Sequence, residues 1–375
     1  MGLLTPVVLN KKIMQGVALL MTFTFDNLNF HRIILHNVYK PNDEGRVDPF
    51  PSRVLTQLAG AGLDKLQQRI SSVLGNGSHS LQMDIAQDGA ASCFHCATRL
   101  LTDDDASFIK NSVEIAELHT TAHTSKSWPG GTLVIIDGTA GAANKRCLFI
   151  IKAEQQAGFV GKEEGDKVVM DYLDNLILTP QAKLYKVGAF VEMSRESVGN
   201  EIRITDDFEA YVFDSNIQAK DDRKAARYFY SGFLGLRIPE NSEQRTRDFF
   251  EYTKNFINDS DLSTESKVDL QQALHTYLKT DQSNTIQTSG FADQFMEEEL
   301  RDDYAAYMES KNFPTNAIVK DNSLIKRRLQ HRKMNFSSSV KLTAPADTFE
   351  EMVQVIDVTD EHTTLRIQGK LTEQE

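Results

Sequence analysis

The spacing of the apolar residues changes character near Asp221, and this limits the available folds more than any other feature of the chain. Upstream, period-two alternation is interleaved with stripes of helical period. Residues 23–39 alternate loosely through Phe25, Leu28 and Phe30 into Ile33, Ile34, Leu35 and Val38, which reads as strand. After a turn-rich loop at 41–51, a helix is predicted over 52–74, with Leu55, Leu58, Leu66, Ile70, Val73 and Leu74 on one stripe and Gly75 to Ser78 as its stop. Two more helices are expected over 90–101 and from the Thr102-Asp103-Asp104-Asp105 cap to His123. Gly130-Gly131 then introduces a strand at 132–137, and a Gly/Ala-rich loop leads to its partner at 146–153, the pattern of a hairpin with a long loop. Further strands are expected at 173–178, 183–192 and 210–214.

Downstream the signal is helical, over 221–236, 241–257, 264–278 behind a Ser263 cap, and 290–309. Two short strands, 352–358 and 364–368, close the chain. The fold class is therefore α+β: an N-terminal mixed domain with a mostly antiparallel sheet and a helical cluster, a helical region, and a small C-terminal α+β part. At 375 residues the chain exceeds one ordinary core. It divides into 21–218, 219–283 and 284–375. The first twenty residues read as an upstream extension, since Met14 and Met21 are both possible starts, or as an apolar arm docking on the body. The run from Ile13 to Met21 is too short to span a bilayer, and no other segment approaches that length. Three cysteines argue against a disulfide framework and for a reducing cytoplasm.

Few constellations carry chemistry. Cys93-x-x-Cys96 with His119-x-x-x-His123 has the local spacings of a zinc site. However, the gap of 22 residues between the pairs reads as helix, so two buried thiols and two solvent-side histidines explain the pattern better. Gly138-Thr139-Ala140-Gly141 lacks the Gly-Lys-Ser/Thr ending of a phosphate loop and precedes a strand, so it reads as a hairpin turn. Asp103 to Asp105 and Glu163-Glu164 read as cap and solvated charge. No catalytic centre, metal or cofactor is expected.

The net charge is −12, so binding to nucleic acid requires a localised basic face. One exists. Between 320 and 341 stand Lys320, Lys326, Arg327, Arg328, Arg332, Lys333 and Lys341 against Asp321 alone. Cations at this density displace counterions from phosphates. If 323–333 is helical, Arg328 and Arg332 share one face, and Ile325 and Leu329 form a second i, i+4 pair for the core. The rival reading pairs this stretch with the acidic segment 290–309, which holds Asp293, Glu297, Glu298, Glu299, Asp302, Asp303 and Glu309. A second basic group comprises Lys220, Arg223, Lys224, Arg227 and Arg237, joined by Arg245 and Arg247. Its interleaved Tyr228, Phe229, Tyr230 and Phe233 read either as base-stacking rings or, better, as the buried stripe of a helix.

The block Arg227-Tyr228-x-x-x-x-Phe233-Leu234-x-x-Arg237, followed by Asp248-Phe249-Phe250, resembles the mid-chain signature of the bacterial nucleoid-associated protein family of NdpA type. The order of Phe30-His31-Arg32-Ile33, the Gly130-Gly131 hairpin, Tyr172-Leu173, Phe313-Pro314 and Leu365-x-Ile367-x-Gly369 extends the resemblance over residues 25–371. It implies association with chromosomal DNA in the cytoplasm, without catalysis. The resemblance offers no site residues, so the expected contacts, Lys326, Arg327, Arg328, Arg332, Lys333, Arg223, Lys224, Arg227 and Arg237, rest on charge. Phosphate contact extends in principle to RNA, and a homodimer gains avidity. The alternative is an acidic module that engages a DNA-handling protein, or imitates DNA, without touching nucleic acid.

Overall fold

The computed structural model describes residues 23–75, 78–164, 167–178, 186–194, 205–214, 224–281, 283–346, 348–359 and 361–373. The expected extension at 1–20 and Arg223 fall outside them, and so does the side chain of Lys224. The α+β class is confirmed.

Gly131–Ala140, Lys145–Ala153 and Lys186–Glu192 are almost wholly buried, and an eight-stranded antiparallel sheet is built around them. The order is Leu236–Arg237, Leu81–Ile85, Phe208–Asp214, Lys186–Glu192, Lys145–Ala153, Gly131–Ala140, Asn29–Val38, Phe50–Pro51. Because side chains alternate across a strand, Leu133 and Ile135 enter one core while Val134 and Ile136 enter the other. Burial on both faces explains the near-continuous apolar run of this strand. Its hairpin turn is tight, not long: pairing runs to Ala140↔Lys145, and Gly141 and Asn144 take positive φ.

Helix Ala61–Leu74 covers one face through Leu66, Ile70 and Leu74. The predicted start at Ser52 is corrected. Phe50–Pro51 pairs with Asn37 and His36, and Gly60 turns the chain at φ 58°, so the helix begins only at Ala61. The other face carries Cys93–Leu100, capped by Ser92, and Asp105–Ala122, capped by Asp104; the sequence indicated both helices and the second cap, while Ser92 starts the first three residues later than expected. Within the described residues the predicted 221–236 helix is Lys224–Arg227 followed by a π-helical turn, Tyr228–Phe233. That turn presses its aromatics into the sheet core. Gly188 lies beneath it, where a Cβ would sit 2.6 Å from Leu234 Cδ1. Arg32 fastens sheet to helices. It donates to Asp137 at 2.9 and 2.7 Å and to the carbonyls of Asp103 and Leu100 at 2.7 and 3.1 Å, with its guanidinium 4.3 Å from the Phe108 ring centre.

Helices Ser242–Asp259, Thr264–Lys279, Thr288–Phe295 and Glu298–Ser310 enclose a second core around Phe249, Leu274, Phe291 and Tyr304. The single helix expected over 290–309 is two, because Met296 is extended and buried and interrupts the ladder. This core joins the sheet edge where Ala317 bridges Leu81 and His79 Nδ1 meets Thr285 Oγ1 at 2.6 Å. Three two-stranded ribbons stand apart: Gln156–Glu164 with Lys167–Leu176, His331–Asn335 with Lys341–Pro345, and Val353–Val358 with Thr363–Ile367. The first ribbon was missed in part and the second wholly, since among the described side chains of both none is fully buried and the apolar alternation is correspondingly weak.

Candidate nucleic-acid interface

The basic stretch is mounted on the second core. Asp321 caps the Asn322–Leu324 turn by accepting the Ser323 N–H at 2.9 Å, and its own N–H donates to Thr246 Oγ1 at 3.0 Å. The helix that follows is only Lys326–Gln330. Ile325 and Leu329 are buried on one side of it, as their spacing indicated. Two buried aliphatic side chains contribute about 1.5–3 kcal/mol each, whereas an exposed ion pair contributes about 0–1 kcal/mol. The apolar pair therefore seats the helix, and Lys326 and Arg327 are left on its exposed side.

The helical reading of 323–333 fails beyond Gln330. His331 is extended at φ −133° and ψ 136°, and His331–Asn335 pairs with Lys341–Pro345. The Ser337-Ser338-Ser339 segment, with Ser339 at φ 65°, turns the chain and makes a ribbon available. Arg328 and Arg332 consequently do not share a helical face. Arg328 pairs with Glu251 of Ser242–Asp259 and lies over the Phe250 ring at 5.8 Å. Its partner is therefore not the acidic segment that the rival reading named. Arg332 is half-buried, with its guanidinium 4.2 Å from the Phe349 ring centre. Lys320 is also structural, since its ammonium donates to the Asp281 and Tyr277 carbonyls at 2.8 and 3.4 Å. Burial holds its pKa below the usual lysine range.

Lys326, Arg327, Lys333 and Lys341 remain exposed, and no carboxylate among the described residues pairs with them. On the ribbon His331, Lys333, Asn335, Lys341, Thr343 and Pro345 face outward, and Arg332, Met334, Leu342 and Ala344 face inward.

The second basic group is placed differently. Arg227 is exposed beside the sheet core. Arg237 is half-exposed and bound to Asp84 at 3.7 Å and Glu240 at 3.4 Å. Tyr228, Phe229, Tyr230 and Phe233 are buried, so the stripe reading holds and these rings are not open for stacking on bases.

The histidines of the zinc pattern are not on the solvent side, as expected, but buried. His119 lies 5.1 Å from the Phe233 ring, and His123 stacks between 5 and 6 Å from Trp128 and Tyr228. Burial lowers the pKa of both, aided at His119 by His123, Lys152 and Lys186. The Cys96 thiol instead meets Glu114 Oε2 at 3.6 Å, and burial together with that carboxylate pushes its pKa up to about 11. Among the described residues no three potential ligands converge on a metal position. His36 touches Ser112, but the polarity is wrong for activating a hydroxyl. Nδ1 accepts the Ser52 N–H at 3.1 Å, so neutral Nε2–H donates to Ser112 Oγ at 2.9 Å, and Ser112 donates onward to the Ile109 carbonyl. Residue spacing gave no sign of this pair. No described helix is long and apolar enough to cross a membrane.

Residues 34–374 match the family model described as nucleoid-associated protein YejK. No curated protein matches the chain.

Proposed function

Because the chain belongs to the nucleoid-associated protein YejK family, we propose that it binds duplex DNA of the bacterial chromosome through largely sequence-independent phosphate contacts, without catalysing a reaction. The observation that carries this reading is the cation set of 326–345. That segment holds six lysines and arginines and no acid in a chain of net charge −12, and four of the six are exposed without a carboxylate partner among the described residues. Localised positive charge overcomes an unfavourable net charge because screening confines the interaction to within about 8–10 Å of the surface. RNA shares the phosphate chemistry and is a second, weaker ligand on this reading. The Cys93, Cys96 and Cys147 thiols are buried with raised pKa, far from the thiolate a nucleophile requires, which favours a binding role.

The test is a mobility-shift series at low salt. Lys326, Arg327 and Lys333 changed together to Glu should abolish the shift. Arg328 and Arg332 are left intact because they hold Glu251 and the Phe349 ring, and changing them would confound binding with packing. An unchanged shift removes this site. A second reading is favoured by the Glu298–Ser310 helix, whose Glu298, Glu299, Asp302, Asp303 and Glu309 are exposed. It would present an acidic face to a DNA-handling protein. Flow-through of the protein on a DNA resin at low salt, with capture of such a partner, selects that reading.

A homodimer also belongs to this proposal. It would set two basic faces on one duplex, and the second contact would then form at an effective concentration set by their spacing.

A further inference from the structure

The ribbon His331–Asn335/Lys341–Pro345 has properties beyond positive charge. Its register places His331 opposite Pro345, Lys333 opposite Thr343 and Asn335 opposite Lys341, and all six are exposed. These six side chains share one face of the pleat. Lysine, asparagine, threonine and histidine are all side chains that can bond base edges as well as phosphates. The opposite face is occupied: Arg332 lies over the buried Phe349, and the Ala346 N–H donates to the Gln330 carbonyl at 2.9 Å, closing the ribbon's open end onto the helix before it. Arg332 on Phe349 backs the ribbon from one side, and the outer face is the one presented to solvent.

The dimensions decide between grooves. Five residues per strand span about 17 Å, and two strands lie about 5 Å apart. The major groove of B-DNA, about 12 Å wide, admits a two-stranded ribbon with its side chains, whereas the minor groove, about 6 Å wide, is little wider than the strand separation before any side chain is added. Charge placement agrees. Lys326 and Arg327 lie on the helix that enters the ribbon, beside its open end, where a groove-bound ribbon would meet a bordering phosphate strand.

We infer that this ribbon enters the major groove of duplex DNA with His331, Asn335 and Thr343 facing the bases, while Lys333 and Lys341 on the ribbon and Lys326 and Arg327 on the helix before it bind the flanking backbone phosphates. This deepens the DNA-binding reading and rests on it. It further restricts the ligand. The major groove of A-form RNA is deep and narrow, and side chains cannot read it. Duplex RNA then keeps only the backbone contacts.

The experiment uses the full chain and one duplex in three forms: unmodified DNA, the same DNA with glucosylated hydroxymethylcytosine filling the major groove, and duplex RNA. The minor-groove ligand netropsin is added in a fourth arm. Expected results are at least tenfold weaker binding to the glucosylated DNA and to the RNA, and no displacement by netropsin. Asn335→Ala with Thr343→Ala should narrow the gap between unmodified and glucosylated DNA without changing the salt slope, because neither residue carries charge. Equal affinity for the first two duplexes, or displacement by netropsin, overturns the major-groove inference and leaves DNA binding standing. Failure to bind unmodified DNA at low salt overturns the underlying function instead. The substituted residues are exposed, and an unaltered far-UV spectrum confirms that the fold is retained.

Discussion

The salt dependence of DNA binding should count the contacts that the structure leaves available. Four cations, Lys326, Arg327, Lys333 and Lys341, are exposed without a carboxylate partner among the described residues. Each phosphate neutralised on B-DNA adds about 0.9 to the slope of log K against log salt, so four give a slope of about −3.6 per chain engaged. Raising salt fourfold, from about 50 to 200 mM, should then weaken binding roughly 150-fold. Lys333→Gln removes one contact, which brings the slope to about −2.7 and the loss to roughly 40-fold. Arg328→Gln is the internal control. Arg328 is engaged by Glu251, so its loss should leave the slope nearly unchanged. Fluorescence anisotropy with a labelled duplex at five or more salt concentrations, on the order of the range above, measures both slopes. The reasoning is refuted if Arg328→Gln lowers the slope as much as Lys333→Gln, or if Lys333→Gln leaves it unchanged.

Three further outcomes test the scaffold. Lys186 and Asp214 form a buried ion pair, and Lys152 stands directly opposite Lys186 in the sheet. Asp214→Asn should therefore destabilise the protein by about 3–5 kcal/mol in urea unfolding, while the Lys186→Met, Asp214→Leu double change recovers most of it. Burial lowers the His36 pKa to about 4 from 6.5, so the unfolded chain takes up this proton first. The His36 share of stability should fall by about 3 kcal/mol as the pH drops from 6.5 through 4, beside losses of the same sign from buried His119, His123 and His275, and His36→Gln should make the profile shallower by that share. On the terminal ribbon Val355, Val358 and Ile367 share one uncharged face and are 42, 46 and 59 % exposed. If copies pair there, as the dimer reading allows, Ile367→Glu should shift sedimentation from dimer to monomer without changing the circular dichroism. A wild-type monomer at tens of micromolar, roughly the concentration at which weak interfaces associate, refutes the pairing.

Elements with a buried face were legible because burial imposes a period. The stripes of Asp105–Ala122 and Thr264–Lys279, with their Asp104 and Ser263 caps, lay where the sequence put them. The pair Ile325 and Leu329 predicted its own burial. The aromatics at 228–233 were legible as core, but not as a π-helical turn, since apolar content does not distinguish the two helical periods over six residues. Residues 52–59 carry leucines at helical spacing, yet pairing of Phe50–Pro51 with the first strand overrode local propensity.

What the sequence determined by itself was the α+β class, the family and the concentration of positive charge at 326–341, because composition, periodicity and motif order are properties of the chain. Which of those charges face solvent was decided only by the tertiary structure. Glu251 is seventy-seven positions from Arg328 in the chain, and only packing of the second core brings the two together. Phe349 likewise takes up Arg332, and the serine-rich turn converts the second half of an expected helix into a ribbon. The charge count came from the chain. Its division into anchoring and available cations came from long-range contacts, which no local pattern encodes.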